Sequence, residues 1–296
     1  MPPEQLALHH GPLRFSALAQ GKGPVVLCLH GFPDNARSYR FQLPVLAAAG
    51  YRGVSLTLRG YEPASIPADG RYDLETIAGD VLAVVDQLGA GQVHLVGHDW
   101  GAAVGYTAAA LGPDRFSSLT AMAVPHSGRF LTALGKHPRQ LALSSYMLFF
   151  QLRAIAERVV ARNDYDFIRR LWHKWSPDWE LPENDLRDVI TTLRQPGVLR
   201  AALGYYRAAL DPRALPYTAK ARAAAMFRVP VPTLALTGAH DRCIDTDVFR
   251  ATMQETDFPR GLVVKQIANA GHFLHQEQPE EVNALLLDWI DRHQKH

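Results

Sequence analysis

Asp99 stands in Gly97-His-Asp-Trp-Gly101, between a β-rich run that ends at Val96 and an Ala-rich run of good helix formers that starts at Trp100. The hydrophobic period therefore changes across the motif, which predicts a strand, a tight turn and a helix. A side chain at the apex of such a turn points into open space, and small neighbours let strand and helix pass closely; Gly97 and Gly101 meet that need. A Ser at the apex would perform acyl transfer. An Asp instead attacks an electrophilic carbon through a carboxylate oxygen and becomes an ester. Asp is also a favoured N-cap, so the motif by itself equally describes simple capping of the helix that begins at Trp100.

Two further residues give the motif chemical meaning. Asp241 lies in Thr237-Gly-Ala-His-Asp-Arg242 and His272 in Ala270-Gly-His-Phe273, each just after an apolar strand-like run. In an open parallel sheet, residues that follow the strands converge at one edge whatever their separation in sequence. The chain order is nucleophile, acid, histidine, as where a nucleophile is presented on this type of turn. The run ending at Val124 is followed by Pro125-His126, with no carboxylate, so Asp241 is the third member and Asp245 the reserve. His30 and His98 flank the site and are expected to brace loops. His275 is expected at the surface.

These residues need a scaffold, and the pattern of the chain supplies one. Residues 4–19 suggest an opening hairpin. Continuous apolar runs at Pro24–His30, Arg52–Leu58, Val93–Val96, Ser118–Val124, Val231–Thr237 and Leu262–Ala268 read as strands buried on both faces. Helical stretches alternate with them, including one opened by Asp73 with Leu74, Ile77, Val81, Val84, Val85 and Leu88 on its apolar face. That alternation implies βαβ units and a mainly parallel sheet. Between His126 and Arg228 it stops, and only helical pieces are expected: Arg139–Arg153, Ile155–Val160, Tyr165–Trp175, Asn184–Arg194, Val198–Leu210 and Thr218–Phe227. The expected organisation is an α/β core over 1–125 and 229–296, interrupted by an all-helical cap over 126–228.

Composition excludes several classes. The chain has 296 residues, 47% apolar and 20% charged, with a formal net charge of +2. It holds no long block of like charges, so nothing in it asks for nucleic acid or an anionic membrane as partner. No segment approaches a membrane span, and no basic region followed by an apolar run opens the chain. Only Cys28 and Cys243 occur, which rules out a disulfide framework and makes a reducing, cytoplasmic setting the default.

On these residues the chain resembles the α/β-hydrolases of the epoxide hydrolase and haloalkane dehalogenase branch, nearly end to end: His30-Gly-Phe-Pro33, Arg59-Gly-Tyr61, Gly97-His-Asp-Trp-Gly101 and Gly271-His-Phe273. The resemblance implies an α/β-hydrolase fold, no metal or cofactor, and an oxyanion hole made by the backbone N–H groups of Phe32 and Trp100, with His30, Gly31 and Pro33 supporting it. Ser145-Tyr-Met-Leu-Phe-Phe-Gln151 and Gly204-Tyr-Tyr-Arg207 are similar to the cap segments that carry the two epoxide-binding tyrosines. That assigns Tyr146 and Tyr206, with Tyr205 as rival of the second. Phenols suit the task, because the alkoxide released by ring opening is strongly basic and stays attached to the product. The expected partners are a small hydrophobic epoxide and water, for a monomer or homodimer. Dehalogenation by the same Asp is the runner-up, and a catalytically idle small-molecule sensor the third reading. The chain departs from the family pattern at Thr57 and Glu62, which bears on the loop of residues 57–70.

Overall fold

The protein is described by a computed structural model over residues 2–211 and 228–294. Eight strands form one sheet: β1 (Glu4–His10), β2 (Leu13–Gln20), β3 (Val25–Leu29), β4 (Arg52–Leu56), β5 (Val93–His98), β6 (Phe116–Met122), β7 (Thr233–Gly238) and β8 (Leu262–Ile267), in the order β1-β2-β4-β3-β5-β6-β7-β8. β1 and β2 form the expected antiparallel hairpin, and β2 pairs antiparallel with β4. All later pairings are parallel.

That strand order decides where chemistry can happen. From β3 the chain goes to β4 on one side, then returns to lay β5 on the other. The two connections leave the carboxyl ends of β3 and β5 in opposite directions, and a crevice opens between them. The residues at its rim are those that follow β3 and β5, namely His30 onward and Asp99.

Side-chain alternation sets the two covering layers. Val25, Leu27 and Leu29 of β3 face the cluster that holds Ile77, Val81 and Val84 of α2 (Leu74–Leu88) and Ala102, Ala108 and Ala109 of α3 (Trp100–Leu111). Val26 and Cys28 face Leu43 and Leu46 of α1 (Gln42–Ala48) and Val282, Leu286 and Ile290 of the C-terminal helix Pro279–His293. Cys28 is thus a small buried apolar side chain. Asp73 caps α2 by accepting from the Thr76 N–H, and Gly89 closes it in the left-handed conformation.

Between β6 and β7 the described residues are helical without a strand: α4 (Ser127–Ala133), α5 (Pro138–Leu143), α6 (Ser145–Phe149), α7 (Ile155–Trp175), α8 (Glu183–Arg194) and α9 (Val198–Ala209). The expected helix over 139–153 is instead two short ones broken at Ser144, followed by turns. The two expected pieces within 155–175 are joined through a kink, where Arg162 is extended and Asn163, Asp164 and Tyr165 have positive φ. The stretch after Asp34, where the sequence suggests helix to about Gly50, holds a short 3-10 turn at Ala36–Tyr39 and then α1. Thr218–Phe227 lies outside the described residues. Aromatic residues of the insertion, Phe150, Trp172, Trp175, Tyr205 and Tyr206, share one apolar cluster with Phe32, Tyr61 and Phe273 of the core. Among the described residues no helix is long and apolar enough to cross a membrane.

The loop of residues 57–70 has its own anchors. Glu62, the departure from the family pattern, accepts from the backbone N–H and the hydroxyl of Ser16 on β2. Arg59 forms a bidentate pair with Asp80 of α2 at 2.5 and 2.6 Å, and His10 meets the same carboxylate at 2.7 Å. Arg59 and Asp80 are both buried. Removing one member of a buried pair strands the other charge. Asp80→Ala should therefore cost about 3–5 kcal/mol in urea unfolding, whereas Arg59→Met combined with Asp80→Leu should restore most of it; equal losses in the two proteins would show that the stranded charge is not the cause.

Candidate active site

The turn after β5 is built as its glycines demand. Asp99 has φ 52° and ψ −118°, a conformation that side-chain-bearing residues rarely adopt and that costs of order 1–3 kcal/mol. A Cβ on Gly97 would sit 2.2 Å from the Gly101 carbonyl oxygen, and one on Gly101 would sit 2.0 Å from that of Leu29 at the end of β3. The turn fits only because both lack one. The Asp99 side chain makes no capping bond to α3, so the capping alternative is not what the structure realises. Instead its carboxylate projects across the crevice. Oδ1 accepts the Phe32 N–H at 2.7 Å, and a Cβ on Gly31 would collide with Asp99 Cβ and Oδ1 at 2.4 Å.

From the other side of the sheet come the loops after β7 and β8. His272 Nδ1 and Asp241 Oδ2 are 3.0 Å apart, and His272 Nε2 faces Asp99 Oδ2 at 3.6 Å, longer than a hydrogen bond. Asp241 is fixed by the N–H groups of Cys243 and Ile244, which donate to its Oδ1. Asp245, the reserve candidate, is spent elsewhere: it caps the helix Thr246–Thr252 and pairs with Arg139. Burial pushes the His272 imidazole down, but the carboxylates of Asp241 and Asp99 on its two sides outweigh that and hold its pKa up at about 10. An imidazole so placed is protonated at neutral pH while both neighbours are charged.

The other histidines behave oppositely. His30 is lowered to about 4 by burial, and its ring bridges the Gly31 carbonyl and the Leu58 N–H. His98 is lowered to about 3 by burial and then by His272, and its Nε2 bonds the His272 carbonyl. Both brace loops, as expected. His275 departs from expectation, because it is fully buried rather than at the surface. It packs against His98 and Tyr39 and bonds Ser38, whose hydroxyl in turn donates to Asp34.

The helical insertion brings its tyrosines to the same crevice. Tyr206 of α9 packs edge-on against Trp100, Phe32 and Tyr146, with ring centroids 5.0, 5.3 and 5.6 Å away. Its hydroxyl is buried without a hydrogen-bond partner. Tyr146 of α6 lies against Trp175, which itself packs on His272, and its hydroxyl meets the Cys243 sulfur at 3.6 Å. Burial first, with Asp99 among the further causes, raises both phenols well above their ordinary range, so both keep their protons. Tyr205 points away: it donates to the Arg59 carbonyl at 2.7 Å and stacks on Tyr72. Pro33 accepts from the Trp172 indole at 3.0 Å. Trp100 is the first residue of α3, and N–H groups of a first turn have no partner within the helix.

Sequence reasoning missed the second layer. The Ser176 hydroxyl accepts the His272 N–H and donates to Glu277, which also receives the N–H groups of Gly271 and Phe273. The Trp175 carbonyl accepts from both Arg242 and His272. Cys243 touches Tyr146 through its sulfur and Asp241 through its amide. Ser176 and Cys243 sit in no recognisable motif; only Glu277, four residues after Phe273 in a tight turn, carried a signal.

Residues 24–279 match the family model described as the alpha/beta hydrolase fold. The chain is 32% identical over 286 residues to epoxide hydrolase 3 of Xenopus tropicalis, covering 94% of this chain and 75% of that protein. It is 31% identical over 286 residues to epoxide hydrolase 4 of Homo sapiens, covering 94% and 76%. The solved structure of epoxide hydrolase A from Mycobacterium thermoresistibile superposes with a TM-score of 0.83 at 26% identity, over 98% of both chains. The chain belongs to the epoxide hydrolase family of the α/β-hydrolase fold. Within that family fold, a mainly parallel sheet and a helical insertion between β6 and β7 agree with the fold class read from the sequence.

The charge balance at His272 is measurable. By NMR its imidazole should titrate near pH 10 in the unmodified protein and lower in Asp99→Ala, where one carboxylate is gone. Because the folded value of about 10 exceeds the ordinary 6.5, its contribution to stability is complete below about pH 6.5 and is lost as pH rises through about 10. His272→Gln should remove that slope from the stability profile; a profile identical to the parent's would contradict the assignment.

Proposed function

We propose that the protein opens an epoxide to a vicinal diol through a covalent ester on Asp99, with residues 126–228 acting as the cap over a core of 1–125 and 229–296. What supports this reading most directly is that two phenols, both held protonated, share one crevice with a carboxylate on a strained turn. A carboxylate nucleophile and paired O–H donors are what ring opening needs.

In the first step an Asp99 oxygen attacks one oxirane carbon, and that carbon's bond to the ring oxygen breaks. The oxygen takes a proton from Tyr146 or Tyr206 while the other phenol donates a hydrogen bond. The site gains an ester and loses the Asp99 charge. His272 then has one carboxylate neighbour instead of two, so its pKa falls and its proton can replace the one the phenol gave up. Esterification thus turns the imidazole into a base at the moment a base is required. In the second step water gives a proton to His272, oriented by Asp241, and its oxygen attacks the Asp99 carboxyl carbon. The negative charge collects on the oxygen facing the Phe32 N–H, with the Trp100 N–H as second donor. Collapse expels the diol oxygen, which takes the proton from His272, and the proton left on the water-derived oxygen of Asp99 then passes to His272, restoring the carboxylate and the imidazolium. No step calls for a metal or cofactor. The substrate is a small hydrophobic epoxide, in keeping with an aromatic crevice, and two buried cysteines without disulfides suit a reducing cytoplasm.

One observation favours a second reading: the Trp100 indole N–H is buried without a partner, a donor that a leaving halide could use. Assaying styrene oxide for diol and a chloroalkane for halide separates the two, and retention of ligand without either product would indicate a sensor. Three outcomes are expected. Changing Tyr146 and Tyr206 together to Phe should lower turnover by at least about 10²–10⁴-fold with the fold intact by circular dichroism. His272→Gln should accumulate a protein heavier by the mass of the epoxide, located on Asp99 by peptide mass spectrometry. In a single turnover in ¹⁸O-water the parent enzyme should release unlabelled diol and keep the label in Asp99; label appearing first in the diol would rule out the ester.

A further inference from the structure

Among the described residues, five of the eight large apolar side chains left in solvent fall in one part of the helical insertion. Leu141, Leu148, Leu152, Ile155 and Val159 are exposed, Leu148 to 67% and Ile155 to 53%. The last four run from α6 through the turns that follow it into the first turns of α7, while Phe150, Ala156 and Val160 of the same stretch are buried. Charge in the same stretch is one-sided. From Arg115 to Asn163 the only acidic residue is Glu157, and it is paired with Arg207 of α9. Lys136, Arg139, Arg153, Arg158 and Arg162 are all exposed. Arg139 pairs with Asp245, and no ion pair is formed by the other four among the described residues. The chain as a whole is nearly neutral, so the imbalance is a property of this surface and not of the composition.

Apolar side chains standing among unpaired cations match the boundary of an anionic bilayer, where acyl chains take the former and phosphate groups the latter. A second copy of the chain would bury the apolar stripe but bring like charges together. We propose that the surface formed by residues 136–162 docks peripherally on anionic phospholipid membranes. The inner side of this segment carries Tyr146 and Phe150 at the candidate active site, so a docked protein would receive lipophilic epoxides from the bilayer directly beneath its cap. Docking stands independently of the reaction proposed above; only its use in substrate delivery rests on that reading.

Vesicle flotation of the full chain tests this, with phosphatidylcholine alone and mixed with phosphatidylglycerol. Binding is expected to the mixed vesicles, weakly to the neutral ones, and to fall as salt is raised. Arg153→Gln with Arg158→Gln should weaken it about 25-fold, from roughly fivefold per cation, and Leu148→Ser with Ile155→Ser should abolish it, while both proteins keep the parent's far-ultraviolet spectrum and melting temperature. No binding to either vesicle, or binding indifferent to both pairs of changes, would overturn the proposal. So would a parent dimer that fails to float and falls to monomer on Leu148→Ser with Ile155→Ser, since the stripe would then belong to a second copy.

Discussion

The rest of the structure depends on a close approach: the ends of β3 and β5 lie so near each other that neither Gly97 nor Gly101 could carry a side chain, and Gly31 could not carry one without striking Asp99. The approach follows from strand order, because β3 and β5 are neighbours whose connections diverge. It forces Asp99 into a backbone conformation of positive φ, which aims the carboxylate outward instead of back along α3. The same closeness brings the Phe32 amide within 2.7 Å of that carboxylate. The outward carboxylate and the amide that faces it are thus two results of a single packing constraint, paid for in backbone strain that the buried sheet on both sides can hold.

Around this point the charges are arranged by contrast. One imidazole, His272, lies between two carboxylates and is held protonated, whereas at His30, His98 and His275 burial outweighs the carboxylates nearby and the rings stay neutral. Were a second of them charged, it would compete with His272 for the proton and repel it. The phenols are raised by the same burial and by the same Asp99 charge. Asp99 thus adds to what Asp241 does for the imidazole and to what burial does for the phenols, so one charge bears on all three groups.

The sheet and its order of elements were legible because buried parallel strands read as unbroken apolar runs, and Gly97, Asp99 and Gly101 were legible because glycine offsets encode backbone clearance. The proximity of Asp241 and His272 was legible from topology alone, since both follow strands. Cap details were harder. A helical period carries no record of where a helix breaks, so the interruption at Ser144 and the α7 kink came only with the structure. Tyr205 and Tyr206 are adjacent in sequence and differ by about 100° around α9, and what separates them is tertiary: Tyr205 finds the Arg59 carbonyl and Tyr72, Tyr206 finds Phe32 and Tyr146. His275 looked like a surface residue because its partners, Ser38 and His98, are far away in the chain. The basic apolar face of the cap was hidden because its cations are single residues spread over the sequence rather than a run.

The insertion is not a lid laid over a finished site. Its α7 ends in Trp175 and Ser176, and these two residues hold the backbone N–H groups of His272 and Arg242, one from each loop of the Asp241–His272 pair. Trp172 in the same helix holds the Pro33 carbonyl next to the Phe32 amide. Motion of that end would therefore move His272, Asp241 and Phe32 together and disturb the geometry it is meant to cover. Asp99 is almost fully buried at the crevice between this insertion and the core. The α5–α6 residues and the turns after them are tied in too, since the buried Gln140 amide of α5 donates to the Cys243 carbonyl and accepts the Asp245 N–H on the loop of Asp241. Those residues carry Tyr146 on one side and the exposed stripe on the other. The Asp241–His272 pair is therefore held by the insertion from two directions, from the end of α7 and from α5, and core and cap build the crevice jointly.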